Sequence, residues 1–200
     1  MKTILAVIFF GILTFAFADY PKLDNCNPPE AMKGLDSGKF LKGTWYVTNA
    51  QCGSNSTVCR EYKGKRENGN SVLNGNGYYS FGSQKVYFEV RCNKQSNSNY
   101  KLTFDCTQKG PAGSGKNFQL QLEVTVLYTD YSDLAIMYRC VKFPPQLGSL
   151  IEGNVLVLRR DASKTNDKNP KIEETLKKQG WSLDTFNSRE GVTCPEPPQK

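Results

Sequence analysis

Histidine is absent from all 200 residues. The commonest general base and the commonest neutral metal ligand are therefore both missing, which excludes histidine-dependent catalysis and haem held by a proximal histidine. No Ser/His/Asp set, metal-ligand spacing or phosphate-binding loop is found either, so the protein is not expected to be an enzyme. Repeats at a fixed period of roughly 20–50 residues, which would announce a solenoid or propeller, are lacking as well. After the first 18 residues no apolar run approaches the ~18 residues that a membrane-spanning helix needs.

Those first residues are a different case. Lys2, an apolar run from Ile4 to Phe17 and the small-x-small site Ala16-Phe17-Ala18 predict a secretory signal over residues 1–18. A single domain over residues 19–200 is expected, with an arm at 19–42, a barrel at 43–160 and a helix and tail at 161–200. The formal charge is +7. Lys and Arg alternate with acidic residues in short clusters, a pattern of solvated surface that favours anionic partners without indicating nucleic acid.

Beyond a Pro- and Asn-rich arm from Tyr20 to Asp36, short β-type segments alternate with Gly, Asn and Ser. Strands are predicted near Gly43–Asn49, Val58–Lys63, Gly77–Phe81, Lys85–Cys92, Tyr100–Thr107, Phe118–Tyr128, Leu134–Val141 and Asn154–Arg160. Turn chemistry is read at Asn68-Gly69-Asn70, Asn74 to Gly77, Asn93 to Asn99 and Lys109 to Gly115. A helical period appears only after the eighth strand, where Ile172, Leu176 and Gln179 follow Pro170 and Gly180 is the stop. The fold class is all-β: eight antiparallel up-and-down strands that can close on themselves around one small ligand, then a C-terminal helix.

The seven cysteines are Cys26, Cys52, Cys59, Cys92, Cys106, Cys140 and Cys194, and in an exported chain six can pair. Cys92 and Cys106 can meet across a hairpin, while Cys26 and Cys194 can tie the two chain ends to the barrel wall. A staple reaching in from outside requires an outward strand cysteine, and alternation then turns its neighbours inward. Outward Cys59 places Val58, Arg60 and Tyr62 inside; outward Cys92 places Tyr87, Glu89 and Arg91 inside; outward Cys140 places Met137, Arg139 and Val141 inside. The sixth strand offers Leu120, Leu122, Val124 and Val126 as its apolar face. Buried arginines without partners cost several kcal/mol each, so they should pair with Glu89, be hydrated, or await an anion. A register slip of one residue would instead put them in solvent.

Three regions then become familiar. Gly43-Thr44-Trp45 opens the first strand, Thr129-Asp130-Tyr131 joins the sixth to the seventh, and Leu158-Arg159-Arg160 closes the eighth. In this order they resemble the lipocalin signature, in which Trp45 plugs the closed end and Arg160 packs over its ring as a cation–π lid. Avidins also open with Gly-x-Trp-Tyr but lack the cysteine framework and the helix. Within the lipocalins the chain resembles the triabin and pallidipin group of salivary proteins from blood-feeding triatomine bugs, with nitrophorins more distant. Val58-Cys59-Arg60-Glu61-Tyr62-Lys63, Val155-Leu156-Val157-Leu158 and Gly180-Trp181-Ser182-Leu183 before Cys194 carry that likeness. It implies disulfides Cys26–Cys140, Cys59–Cys194 and Cys92–Cys106, with Cys52 as a free or capped thiol in the first loop. Tyr79 falls at or beside the haem histidine of the nitrophorins. A tyrosine can hold ferric haem, but without histidine no cofactor is expected.

The resemblance also implies a secreted, salivary, anti-haemostatic monomer that lowers the free concentration of a host mediator. Arg60, Arg91 and Arg139 would meet the carboxylate of an eicosanoid such as thromboxane or a cysteinyl leukotriene, with its tail along Leu122, Val124 and Met137. ADP would set its phosphates on the same arginines and its base on Tyr62, Tyr79 or Tyr87. An amine is less well served, since only Glu89 is a candidate acid inside. On this reading Arg91→Ala weakens an anionic ligand by about 2–5 kcal/mol. The alternative is inhibition of a clotting or contact-phase protease through the outer surface and loops. Asn55-Ser56-Thr57 is a glycosylation sequon, Trp181 is read as an anchor of the tail, and neither nucleic acid nor membrane is expected as a partner.

Overall fold

The computed structural model describes residues 20–81, 84–98, 101–110, 117–165 and 168–198. The predicted signal, Tyr100, residues 111–115 of the fifth connector and the last two residues lie outside them. The elements are α1 (Ser37–Phe40), β1 (Gly43–Ala50), β2 (Glu61–Glu67), β3 (Asn70–Phe81), β4 (Gln84–Ser98), β5 (Lys101–Lys109), β6 (Asn117–Thr129), β7 (Leu134–Lys142), β8 (Ile151–Arg159), α2 (Pro170–Lys177) and β9 (Asn187–Ser188). Strands β1 to β8 pair antiparallel with their sequence neighbours, and β1 also pairs with β8, so the sheet closes into an eight-stranded barrel of lipocalin type. Closure leaves no long edge exposed. Where β2 leaves β1 after Tyr46↔Glu61, β9 takes over that edge at Asn49↔Ser188, so the tail completes the ladder.

Two apolar clusters hold the molecule. Trp45, Val47, Leu73, Leu102, Phe104, Leu122, Val124, Met137 and Leu158 fill the barrel. On the other side of the same wall, Leu134, Ile136, Val155 and Val157 meet Ile172 and Leu176 of α2, with Trp181 packed at the margin. Strands β7 and β8 are therefore buried on both faces, which explains their unbroken apolar runs. The side chain of Asn169 caps α2 by accepting from the Lys171 N–H at 3.0 Å, and Pro170 occupies the first turn, where its missing N–H costs nothing.

The closed end is built from Phe40, Leu41 and Trp45. The Trp45 indole donates to the Phe40 carbonyl at 2.8 Å, and the Arg160 guanidinium lies 3.4 Å from the ring centroid. Gly64 is required here: a Cβ at this position would sit 1.9 Å from the Leu41 carbonyl oxygen, where the chain crosses under the barrel.

Several expected boundaries are corrected. Residues 57–59 form a 3-10 turn, so β2 begins at Glu61 rather than Val58. Asn74 to Gly77 is a strand, not a connector, because β2 and β4 satisfy its backbone from both sides. Its glycines face inward, and a Cβ on Gly77 would come 2.7 Å from Cγ of Arg60, so the missing side chains make room for larger ones opposite. Asn93 to Ser98 likewise extends β4, and β8 starts three residues earlier than expected, at Ile151.

Candidate functional site

Above the apolar plug the interior changes character. Arg60 precedes β2, Arg139 lies on β7 and Glu152 on β8, and the ladder pairs Arg139 with Asn154 and Val141 with Glu152 on the inner face. All three side chains are almost fully removed from solvent, at 4%, 5% and 2% residue exposure. One carboxylate oxygen serves both cations: Glu152 Oε1 is hydrogen-bonded by Arg139 Nη2 and stands 3.8 Å from Arg60 Nη1. Burial works against the charge on Arg139, but Glu152 and neighbouring phenols hold its affinity for the proton well above the ordinary value. Arg60 shifts upward too. Both remain cations, so the cluster carries one positive charge in excess.

That excess is only partly shielded. The Arg60 guanidinium lies 5.2 Å from the Tyr79 ring centroid and 5.4 Å from that of Phe88, whose rings are 4.6 Å apart. The Nε groups of Arg60 and Arg139 are buried without a hydrogen-bond partner. Leaving such donors unsatisfied costs on the order of 1–3 kcal/mol each, which an incoming acceptor would recover. Beside the cluster, opposite Arg139, Asn154 clamps the first loop by accepting from the Cys52 N–H at 3.0 Å and donating to the Cys52 carbonyl at 2.9 Å. It also donates to the Tyr20 hydroxyl at 3.4 Å, which in turn bonds the Thr57 hydroxyl.

Arg60, Tyr62, Tyr79, Phe88, Leu122 and Arg139 are among the residues lining a cavity of about 50 Å³. This is room for a few waters and far less than the ~300–1,000 Å³ of a typical ligand site. Burial pushes the Tyr79 phenol up to about 12 from its usual value near 10. Because the folded-state value is the higher one, the stability this phenol supplies is complete below pH 10 and is lost as pH rises from about 10 to 12. An ultraviolet tyrosinate titration should show a component near pH 12 that Tyr79→Phe removes; loss of a component near pH 10 instead would mean that the ring is open to solvent.

Of the residues singled out from the sequence, Arg60, Tyr62, Tyr79, Leu122 and Arg139 come together around this cavity. Val124 and Met137 also face inward but lie lower, beside Trp45 and Leu158. The facing of β4 is a correction. Cys92 and Cys106 sit directly opposite each other and line the cavity themselves, with Phe88 and Val90 on the same face. Tyr87, Glu89 and Arg91 therefore point outward: Tyr87 packs on Tyr78, Glu89 lies 3.6 Å from Lys109, and Arg91 is bonded to Glu67. A disulfide between adjacent strands needs no reach from outside, so it does not dictate an outward facing. The acid beside the arginines is Glu152, not Glu89. Glu152 falls outside the β8 predicted from Asn154, although counting back from inward Leu158 and Leu156 by twos reaches it.

The remaining disulfides, Cys26–Cys140 and Cys59–Cys194, tie the arm to β7 and the tail to the turn before β2. Cys52 is free and half-buried, and burial raises its thiol above the usual range, which disfavours the reactive thiolate. Asn55 is exposed in the same loop.

The Triabin family model matches residues 16–173. The chain belongs to the triabin family. Similar members are Triafestin-2 and Triafestin-1 of Triatoma infestans, each 52% identical over all of this chain and 97% of the relative. Pallidipin of Meccus pallidipennis is 32% identical over 97% of this chain and 98% of its own length. Among solved structures, the tryptamine complex of the amine binding protein of Rhodnius prolixus superposes with a TM-score of 0.63 at 18% identity, covering 87% of this chain and 91% of that one. The leukotriene C4 complex of LTBP1 gives 0.57 at 22%, covering 88% and 99%. At these identities the likeness of this triabin-family chain to those two proteins is one of fold.

Proposed function

We propose that this protein is secreted in saliva and captures a small amphipathic anion in its upper barrel. It would thereby lower the concentration of a host mediator of platelet aggregation or vasoconstriction: thromboxane, a cysteinyl leukotriene or ADP. The observation that carries the reading is the buried pair Arg60 and Arg139 sharing one carboxylate, a positive charge in excess facing the cavity. A carboxylate or phosphate placed there neutralises the excess and accepts from the two Nε donors. The tail would lie against Leu120, Leu122 and Val141. Room for it comes from rotation of Tyr79 and Phe88 off the Arg60 guanidinium, since the present cavity of about 50 Å³ is too small. A cationic amine is disfavoured, with two guanidiniums against one acid.

Calorimetric titration with ADP, a thromboxane analogue, leukotriene C4 and serotonin tests this. One of the three anions should bind one to one, and Arg139→Met should weaken it by about 2–5 kcal/mol. Arg91→Ala, on the outer wall, should leave affinity unchanged. Flat traces with all four sink the reading.

The small cavity favours a second reading, inhibition of a clotting or contact-phase protease through the outer surface and loops. It predicts delayed contact activation in plasma together with flat calorimetric traces. In either case Asn55 is the proposed glycan acceptor, residues 1–18 the cleaved leader, residues 19–200 one domain, and the protein a monomer with Cys52 unpaired.

A further inference from the structure

The closed end of the barrel carries more cations than acids, although Lys39 is already paired with Asp36. On one side of α1, an open groove of about 720 Å³ is lined by Lys39, Lys42, Tyr46, Asp130, Tyr131 and Arg160. Asp130, the acid in that lining, is engaged by its own loop: one oxygen accepts from the N–H groups of Ser132, Asp133 and Leu134 at 2.8–3.0 Å. Asp36 is similarly held by the Lys39 N–H, with the exposed Lys39 ammonium 3.7 Å away. Arg160 directs three of its five N–H groups to the carbonyls of Thr44 and Tyr131. Two remain beside the groove, and Trp45 fixes the guanidinium plane from behind.

On the other side of α1, Lys94 is half-buried with its ammonium on the Ser37 hydroxyl at 3.0 Å. Its charge feels that of exposed Arg66. Among the described residues neither cation has an ion-pair partner. Uncompensated like charges raise the energy of the free protein, and an anion bridging them lowers it.

We propose that this end is a second binding face, which takes a sulfated polysaccharide through Lys39, Lys42 and Arg160 on one side of α1 and Lys94 and Arg66 on the other. Its surface chemistry selects that class. Phe40 and Leu41 are turned into the barrel, so neither is available as an apolar anchor for a bilayer or a protein partner. Instead it offers long cationic side chains for repeated sulfates and the half-buried Tyr46 ring beside them, while the Tyr131 ring already carries the Lys39 ammonium 5.9 Å from its centroid. The net charge, +6 once the proposed leader takes Lys2 away and leaves 25 basic against 19 acidic side chains, adds long-range attraction. This face is independent of ligand capture in the cup.

Calorimetric titration of the oxidised protein with a size-defined heparin octasaccharide provides the test, with neutral dextran as the comparison. Binding should be present at low salt and weaken steeply as NaCl rises. Lys39→Glu/Lys42→Glu/Arg66→Glu should reduce affinity at least tenfold. Lys171→Glu/Lys177→Glu/Lys178→Glu, the same charge change on α2, should reduce it less than threefold. If that variant fails to fold, Lys39→Gln/Lys42→Gln/Arg66→Gln is read instead, with at least a threefold loss expected. Equal losses in the two triple variants, no binding of the octasaccharide, or tighter binding to acidic peptides or anionic vesicles would each overturn the proposal.

Discussion

Glu152→Gln should lower the unfolding free energy of the oxidised protein by about 3–5 kcal/mol, because it strands two buried guanidiniums without a counter-charge. At 2% exposure the site gives water little access to replace the lost carboxylate. Arg139→Met should cost less, since Arg60 and Glu152 are then left as a one-to-one pair. Urea unfolding with an unchanged dependence on denaturant measures both losses. A loss under about 1 kcal/mol for Glu152→Gln would mean that the cluster is hydrated rather than dry. The same substitution should tighten binding of an anionic ligand in the cup, because Glu152 competes for the two arginines. Stability and affinity therefore move in opposite directions, a combination that a purely structural salt bridge would not give.

Cys59→Ala/Cys194→Ala should cost about 4–5 kcal/mol, the chain-entropy value for opening a loop of a hundred or more residues. Here the two cysteines are 135 residues apart. The effect should stop short of unfolding the barrel, since other contacts still hold the tail. Arg189 donates to the carbonyls of Val47 and Val58, its N–H bonds the Thr48 carbonyl at 2.8 Å, and Tyr78 donates to the Glu196 carbonyl at 2.7 Å. Thermal unfolding followed by circular dichroism should show a lower midpoint with an unchanged native spectrum. A midpoint within a degree or two of wild type would place the tail's stabilisation in its hydrogen bonds rather than in the cross-link.

The cysteines worked as a ruler for facing only where the disulfide runs to a chain end. Cys59 and Cys140 are stapled from outside by Cys194 and Cys26, and their neighbours Arg60, Tyr62, Met137 and Arg139 do face inward. Cys92 is bonded to the strand beside it, so nothing outside sets its facing, and Tyr87, Glu89 and Arg91 lie on the outer wall. Turn residues misled for a related reason. Asn74-Gly75-Asn76-Gly77 has the local chemistry of a turn, but in the barrel both its edges find ladders and its glycines lie under Tyr62 and Arg60.

Local patterns in the sequence are enough for the succession of strands and the helix after Pro170, and the lipocalin resemblance for the plug of Trp45 under Arg160. Alternation, capping and turn chemistry act over a few residues, and the order of elements follows from them. How much space the cup encloses, that Glu152 is the acid the arginines share, and that cations from α1, β2, β4 and the end of β8 gather at one end follow from the assembled barrel. Those outcomes depend on register between strands far apart in the chain, where a shift of one residue exchanges the inside for the outside.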